Sequence, residues 1–373
     1  MIPARTETLR SGGRIKLMAT NKMDSRKTIC YFGIYHPVAP RDKVYLDGLK
    51  KKGVTVAECV DSSAGILKFF RLEKKHRALK GKYDILWVGY LSTMVVPLAW
   101  LISRKKIVFN ALDSWYDRAI LDRGMYSKFS PKAGAIWVSD FLAFHLSDVV
   151  LLESEQQKLF IAKKFFVNPK KIVVIFTGVD ETVFHPDPSV KKADKFTVVF
   201  RGMFLPATGV EYIIEAARLL KDEDIQFRII GWGEPIQSKL KKMISDYGLT
   251  NVNLTTVFLS PDELRTTILS AHVMLGQFGD HDRLNRTIQN KNIEALALGM
   301  PFITCDSASN RELLTSGKNC IFVLSVSPST IASTIRVLRD DSLLRDCLAT
   351  GAVHHHLLSC SQVILGDKVF SLL

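Results

Sequence analysis

Cysteine is scarce in this chain: six in 373 residues, scattered at positions 30, 59, 305, 320, 347 and 360, with no Cys-x-x-Cys pair. Such spacing makes neither a disulfide framework nor a zinc site, and a reducing cytosol is the expected compartment. Long apolar runs are missing too. The longest, residues 94–102, reaches about half of the roughly 20 residues a bilayer crossing requires, and Pro97 interrupts it. No segment repeats with a period of about 20 to 50 residues, which excludes solenoids and propellers. The chain contains no G-x-S-x-G and no G-x4-GK[ST], so a serine hydrolase and a P-loop NTPase are not expected. Gly231-Trp232-Gly233 begins a G-x-G, but Ile236 stands where a dinucleotide fingerprint needs its third glycine. His354, His355 and His356 are consecutive, so on a helix they fan out roughly 100° apart and read as solvated surface. No metal site and no bound cofactor is expected.

What is present is the material of a globular chain, with 47% apolar and 24% charged residues and a mean hydropathy of +0.10. Its length exceeds what one hydrophobic core usually organises, so two domains are expected. The formal net charge is +14, and residues 1–190 hold 31 Lys and Arg against 18 Asp and Glu, nearly the whole excess. That half is suited to a polyanion: nucleic acid, an anionic leaflet or a phosphorylated substrate. A merely soluble basic face is the plainer alternative. Nucleic acid is not expected, because no RNP, helix-turn-helix or zinc-finger pattern occurs. Residues 1–27 contain seven of the cations and no apolar h-region, so they read as a disordered basic tail and not as a secretory signal.

Short runs rich in β-branched and aromatic residues alternate with helical patterns, which indicates parallel sheets built from βαβ units. In the first half the runs are 28–33, 54–59, 85–88, 106–110, 149–152 and 172–176, with helices over 44–52 and 132–146. The Pro-rich stretch Phe184-His185-Pro186-Asp187-Pro188 and the lysines 191, 192 and 195 mark a linker. After it the runs are 197–200, 226–230, 252–254, 273–275, 302–305 and 321–323, with helices over 209–220, 236–247, 261–269 and 292–298. The expected domains are therefore 28–190 and 191–355, followed by a C-terminal helix over 356–373 that packs back on the first. Two doubly wound sheets in tandem turn the carboxyl ends of their strands toward one crevice, where open α/β sheets bind ligands.

Residues Asn290-Lys291-Asn292-Ile293-Glu294-Ala295-Leu296-Ala297-Leu298-Gly299-Met300-Pro301 carry the strongest local signal. Asn290 is a candidate N-cap, and Gly299 and Pro301 end the helix before a buried strand. Ile293, Leu296, Ala297 and Met300 form its apolar stripe, leaving Glu294 off that stripe in the first turn. A carboxylate there can accept ribose hydroxyl protons while free N–H groups face a phosphate. Alternatively, Lys291 and Glu294 form an exposed i,i+3 ion pair worth a few tenths of a kcal/mol.

This segment resembles the donor site of retaining GT-B glycosyltransferases of the family-4 type, in the variant with Asn-Lys before the Glu-Ala-Leu-Ala-x-Gly-x-Pro run. Arg201-Gly202-Met203-Phe204 through Gly209-Val210-Glu211 and Gly231-Trp232-Gly233-Glu234 match in the expected order. So do Leu151-Leu152-Glu153-Ser154 and Gly178-Val179-Asp180-Glu181 upstream. The similarity spans roughly residues 28–365. It implies an α/β GT-B fold, two Rossmann-like domains facing a central cleft. It also implies transfer of a hexose from a nucleotide-diphosphate sugar with retention at the anomeric carbon and no obligatory metal. Glu294 would then bind the donor ribose, Asn290 and Lys291 the sugar and phosphate side, and Gly231 and Gly233 would border the nucleotide.

Where the commoner family pattern has an additional Glu, an Arg and a Lys, this chain has Arg286, Met203 and Thr208. Arg201, Arg283, Arg286 and Lys291 would supply the charge instead, since a guanidinium fork suits phosphate oxygens. In the first domain, Gly33 lies in a turn over residues 32–37, with Arg41 just beyond it, that either offers amides to an anionic ligand or is an ordinary strand-to-helix turn, and Asp113 is the candidate for contacting the acceptor hydroxyl or sugar. Asp113 as a mere helix cap is the alternative. The acceptor is expected to be a glycan or a lipid-linked glycan, met in the cytoplasm at the inner face of an anionic membrane. A catalytically degenerate relative that binds nucleotide or glycan without turnover is the second reading.

Overall fold

The computed structural model describes residues 27–373; all of the basic tail except Lys27 lies outside the described residues. Two six-stranded sheets, every pairing parallel, are laid out in sequence along the chain. The first comprises β1 (Thr28–Gly33), β2 (Thr55–Val60), β3 (Ile85–Val88), β4 (Lys106–Leu112), β5 (Val149–Leu152) and β6 (Ile172–Val174), in the order β2-β1-β3-β4-β5-β6. The second comprises β7 (Phe196–Arg201), β8 (Ile225–Ile230), β9 (Val252–Thr255), β10 (Val273–Leu275), β11 (Phe302–Cys305) and β12 (Ile321–Val323), in the order β12-β11-β10-β7-β8-β9. Strands enclosed on both faces by helices read as unbroken apolar runs. All four residues of Ile85–Val88 and of Phe302–Cys305 are buried, for instance. Each strand order reverses once, between β1 and β3 and between β7 and β10. At those switch points the helices leave opposite faces of the sheet and open a crevice at the strand carboxyl ends.

Local chemistry sets the helix boundaries. Pro40–Lys51 starts four residues ahead of the expected position because Pro40 supplies a preset φ and lacks an N–H that would go unbonded there. Pro261–Leu269 and Pro328–Asp340 open on capping boxes, Ser260 with Glu263 and Ser327 with Thr330. Leu67–Leu79 gave no clear periodic signal, since it buries only Leu72 and His76. The residues at 354–356 do fan out, but they are not all solvated: His356 is buried and lies 3.3 Å from Glu181.

The chain ends by returning to its start. Ser342–Ser359 covers the second domain and continues past residue 355 without a break, and Gln362–Phe370 then packs on Pro40–Lys51. Leu365 and Val369 enter the same apolar cluster as Ile29, Val44 and Trp87, each such side chain contributing about 1.5–3 kcal/mol. The two helices touch backbone to backbone: a Cβ added at Gly48 would come 2.7 Å from Gly366 Cα and 2.9 Å from the Gln362 carbonyl. Gly48→Ala should therefore cost about 1–3 kcal/mol. The expected result is a lower thermal midpoint, together with faster proteolytic loss of the segment after residue 360.

Candidate functional site

The second domain's half of the crevice is made of loops that only glycine allows to meet. Gly202 follows β7 at φ 148°, and Gly233 follows β8 at φ 142°. A Cβ on Gly231 would fall 1.9 Å from the Gly202 carbonyl, and one on Gly233 would fall 2.7 Å from the Phe204 carbonyl. Freed of those clashes, the Gly202 amide donates to Ile230 O at 2.9 Å and the Phe204 amide donates to Trp232 O at 2.8 Å.

Against these loops lies the start of helix Asn290–Leu298. Its N-cap is Gln289 and not Asn290, and among the described residues no side chain caps it. The first-turn amides are therefore not claimed by the protein's own side chains. Every residue from Lys291 to Leu298 is buried. Glu294 makes no pair with Lys291. Instead Arg201 grips it in two-pronged fashion, Nε donating to Oε2 at 2.7 Å and Nη2 donating to Oε1. The Lys291 ammonium sits 4.2 Å from the centre of the Phe200 ring and finds no hydrogen-bond partner among the described residues. Burial and the neighbouring Arg201 charge pull it down to about 7, against the opposing pull of Glu294.

Two adjoining hollows meet at Arg201, Gly202 and Met203. One, of about 220 Å³, is lined by Lys291, Asn290, Gln277 and Arg201 and, from the first domain, by Leu112 and Glu153. The other, of about 250 Å³, is apolar, with Trp232, Val257, Phe258 and Leu259 in its wall. Met203 and Thr208 line the first hollow without charge, so Lys291 and Arg201 are its cations. Among the described residues no cluster of His, Cys, Asp and Glu could hold a metal ion.

The first domain presents its own strand ends, and there the arrangement differs from expectation. Asp113 follows β4 at the crevice, but both of its oxygens are taken. Arg118 Nη1 donates to one at 2.8 Å, and Arg283 Nη2, from the other domain, donates to the second at 2.5 Å. Its carboxylate is thus an interdomain tie, holding Arg118 of its own domain and Arg283 of the other. Arg286 likewise turns away from the hollow: it pairs with the fully buried Asp117 at 2.9 Å and lies over Phe160 at 4.3 Å. Arg283 also reaches Asp122 at 3.0 Å. Glu312 adds to the tie by accepting from the Glu155 and Gln156 amides at 2.7 and 3.0 Å. Arg41 is buried beneath the strands and donates to Asn110 Oδ1, Ile175 O and Thr177 Oγ1, so it lines no loop. Gly33 ends β1 against Ser92, which a Cβ there would approach to 2.9 Å.

The structure thus gathers Arg201, Gly202, Asn290, Lys291 and Glu294, with the Gly231–Gly233 loop beside them, and assigns Asp113, Arg286 and Arg41 to structural contacts. Sequence reasoning missed Glu153 and Gln277. Both lie just beyond the carboxyl ends of strands, β5 and β10, and Glu153 also belongs to one of the segments that carry the resemblance.

Residues 195–341 match the family described as Glycosyl transferases group 1. Among curated proteins, an α-D-kanosaminyltransferase of Streptomyces kanamyceticus is 28% identical over 178 residues, 47% of this chain and 45% of that one. An MMP α-(1→4)-mannosyltransferase of Mycolicibacterium hassiacum is 24% identical over 47% of this chain and 40% of its own length. The chain thus matches less than half the length of these relatives. Among solved structures, HepE of Anabaena in complex with UDP and glucose superposes with a TM-score of 0.71 at 15% identity, covering 93% of this chain and 99% of that one. The fold is GT-B.

Burial raises the Asp117 pKa, and Arg286 and Arg283 hold it down only in part. Arg286→Ala would leave that carboxyl enclosed without its partner, at a cost of about 3–5 kcal/mol. A markedly lower thermal midpoint is expected, with Asp117→Asn in the same chain recovering much of the loss.

Proposed function

We propose that this protein is a glycosyltransferase that moves a hexose from a nucleoside-diphosphate sugar to a glycan or lipid-linked acceptor, with retention at the anomeric carbon. One observation carries the reading: an unpartnered, buried ammonium, Lys291, stands at an uncapped helix start beside the Glu294 carboxylate. A diphosphate is the ligand class that such a cation and such amides complete. Glu294 then accepts the ribose hydroxyls, and Arg201, released from it, turns to the phosphates. The apolar hollow around Trp232 and Phe258 takes the base. As the bond from the anomeric carbon to the diphosphate breaks, negative charge grows on the leaving oxygen, and the Lys291 ammonium and helix amides stabilise it. In this mechanism charge stabilisation requires no metal.

The group 1 match over the donor half supports the reading, as does the GT-B fold shared with a protein solved with UDP and glucose. Retention and the acceptor class rest on the motif resemblance.

Nucleotide binding is checked by calorimetry and thermal shift with UDP, GDP, UDP-glucose, UDP-N-acetylglucosamine and GDP-mannose. Ligand at about 100 times its dissociation constant should add about 2.7 kcal/mol of stability. Glu294→Ala is expected to abolish that gain. Burial holds the Lys291 amine down at about 7, and phosphate binds its charged form, so binding takes up a proton. Affinity for the sugar nucleotide should hold steady below pH 7 and weaken above it, approaching about tenfold per pH unit. Lys291→Met should flatten that profile at the weak limit. If none of these nucleotides raises the midpoint, the donor reading is wrong.

The same reading seats the first domain on the anionic inner leaflet, in the cytoplasm. Helix Leu67–Leu79 exposes Leu67 and Phe70 next to Arg71 and Lys74, and Phe129 is 98% exposed beside Lys128. Among the described residues no helix is long and apolar enough to cross a membrane. Cations near such a surface contribute about 1 kcal/mol each. Co-sedimentation with phosphatidylglycerol vesicles at low salt is expected, and it should be lost with neutral vesicles or at raised salt.

A further inference from the structure

We infer that Glu153, from the first domain, recognises the hydroxyl groups of the donor's sugar across the cleft. The inference rests on the donor reading above and identifies which part of the donor the 220 Å³ hollow takes.

Three side-chain atoms in the wall of that hollow are buried without a hydrogen-bond partner among the described residues: Lys291 Nζ, Gln277 Oε1 and Glu153 Oε1. Buried polar groups are nearly always bonded, so three orphans around one space indicate a ligand that completes them. Their chemistry is divided. The ammonium calls for an anion, whereas a carboxyl and an amide carbonyl oxygen repel one and need donors. A sugar joined to a diphosphate presents both: phosphate oxygens at one end and a ring of hydroxyls at the other.

The hollow's size agrees with this division. It is small beside the roughly 300–1,000 Å³ of sites that enclose whole drug-sized ligands. One sugar ring suits it, with the nucleoside in the neighbouring apolar hollow. Glu153 is 2% exposed and is the carboxyl in this lining, placed by the end of β5 just before the Ser154 cap of Glu155–Phe165. Burial pushes it up to about 8, with the Arg41 guanidinium offsetting part of the effect. A carboxyl in that range can donate to one hydroxyl and accept from another. Because Glu153 belongs to the first domain and Lys291 to the second, a bound sugar would tie the two together.

The experiment compares each diphosphate with its sugar conjugate by calorimetry, UDP against UDP-glucose and UDP-N-acetylglucosamine and GDP against GDP-mannose, on the full chain and on Glu153→Ala and Glu153→Gln. The sugar that strengthens binding in the unaltered chain should lose at least tenfold affinity in Glu153→Ala, while the bare diphosphate stays within about twofold. Glu153→Gln, which keeps the volume and hydrogen-bonding capacity, should fall between. Equal losses for diphosphate and conjugate would make Glu153 only an interdomain tie and overturn the assignment. So would unchanged conjugate affinity. Failure of the unaltered chain to bind any of these nucleotides would instead overturn the donor reading and this assignment with it.

Discussion

Paired charges buried between the domains are what the cleft depends on. Arg283 and Arg286 extend from the second domain into a group of first-domain carboxylates, Asp113, Asp122 and Asp117. All five side chains are largely shielded from water, so their attraction acts in a weak dielectric and is set against a comparable desolvation cost. Net stability gained from such pairs is modest. Their effect is on geometry, because separating them without water to replace the partner is expensive. The strand ends that line the hollow, β4 and β5 on one side and β7 and β10 on the other, therefore meet in one register.

The same dehydration makes the ligand-facing groups reactive toward a suitable partner. Among the described residues Lys291 lies against an aromatic ring with no acceptor, and Glu153 lies in an enclosed wall with one oxygen unbonded. In water each would be satisfied and inert. Here burial works against both charges, lowering one proton affinity and raising the other, until a ligand of mixed character provides the missing contacts. Arg201 moderates this state by neutralising Glu294.

Much of this was readable from the residue order. Twelve apolar runs in two groups separated by the Pro-rich linker foretold two parallel sheets, and Gly299 with Pro301 ended the helix where expected. The glycines at 202, 231 and 233 were picked out by the resemblance, and the structure shows their loops in close contact. Patterning of this kind is local, fixed by side-chain period and backbone sterics, and needs no knowledge of neighbours. Helix Leu67–Leu79 escaped notice for the converse reason, since its mostly exposed, charged surface carries almost no apolar period.

Charge placement was not readable in that way. Asp113, Arg286 and Arg41 have the chemistry of ligand-binding residues, and nothing in their sequence neighbourhood says that each is committed to a partner 69 or more positions away. Glu153 is the opposite case, an acid within a matching segment but with no role read for it, whose Oε1 lies in the wall of the hollow without a partner among the described residues. The sequence by itself determined the two sheets, their order along the chain and the helix bearing Lys291 and Glu294. Only the tertiary structure decided which charged groups remain free for a ligand, because a charge is released or consumed by what packs against it from distant strands.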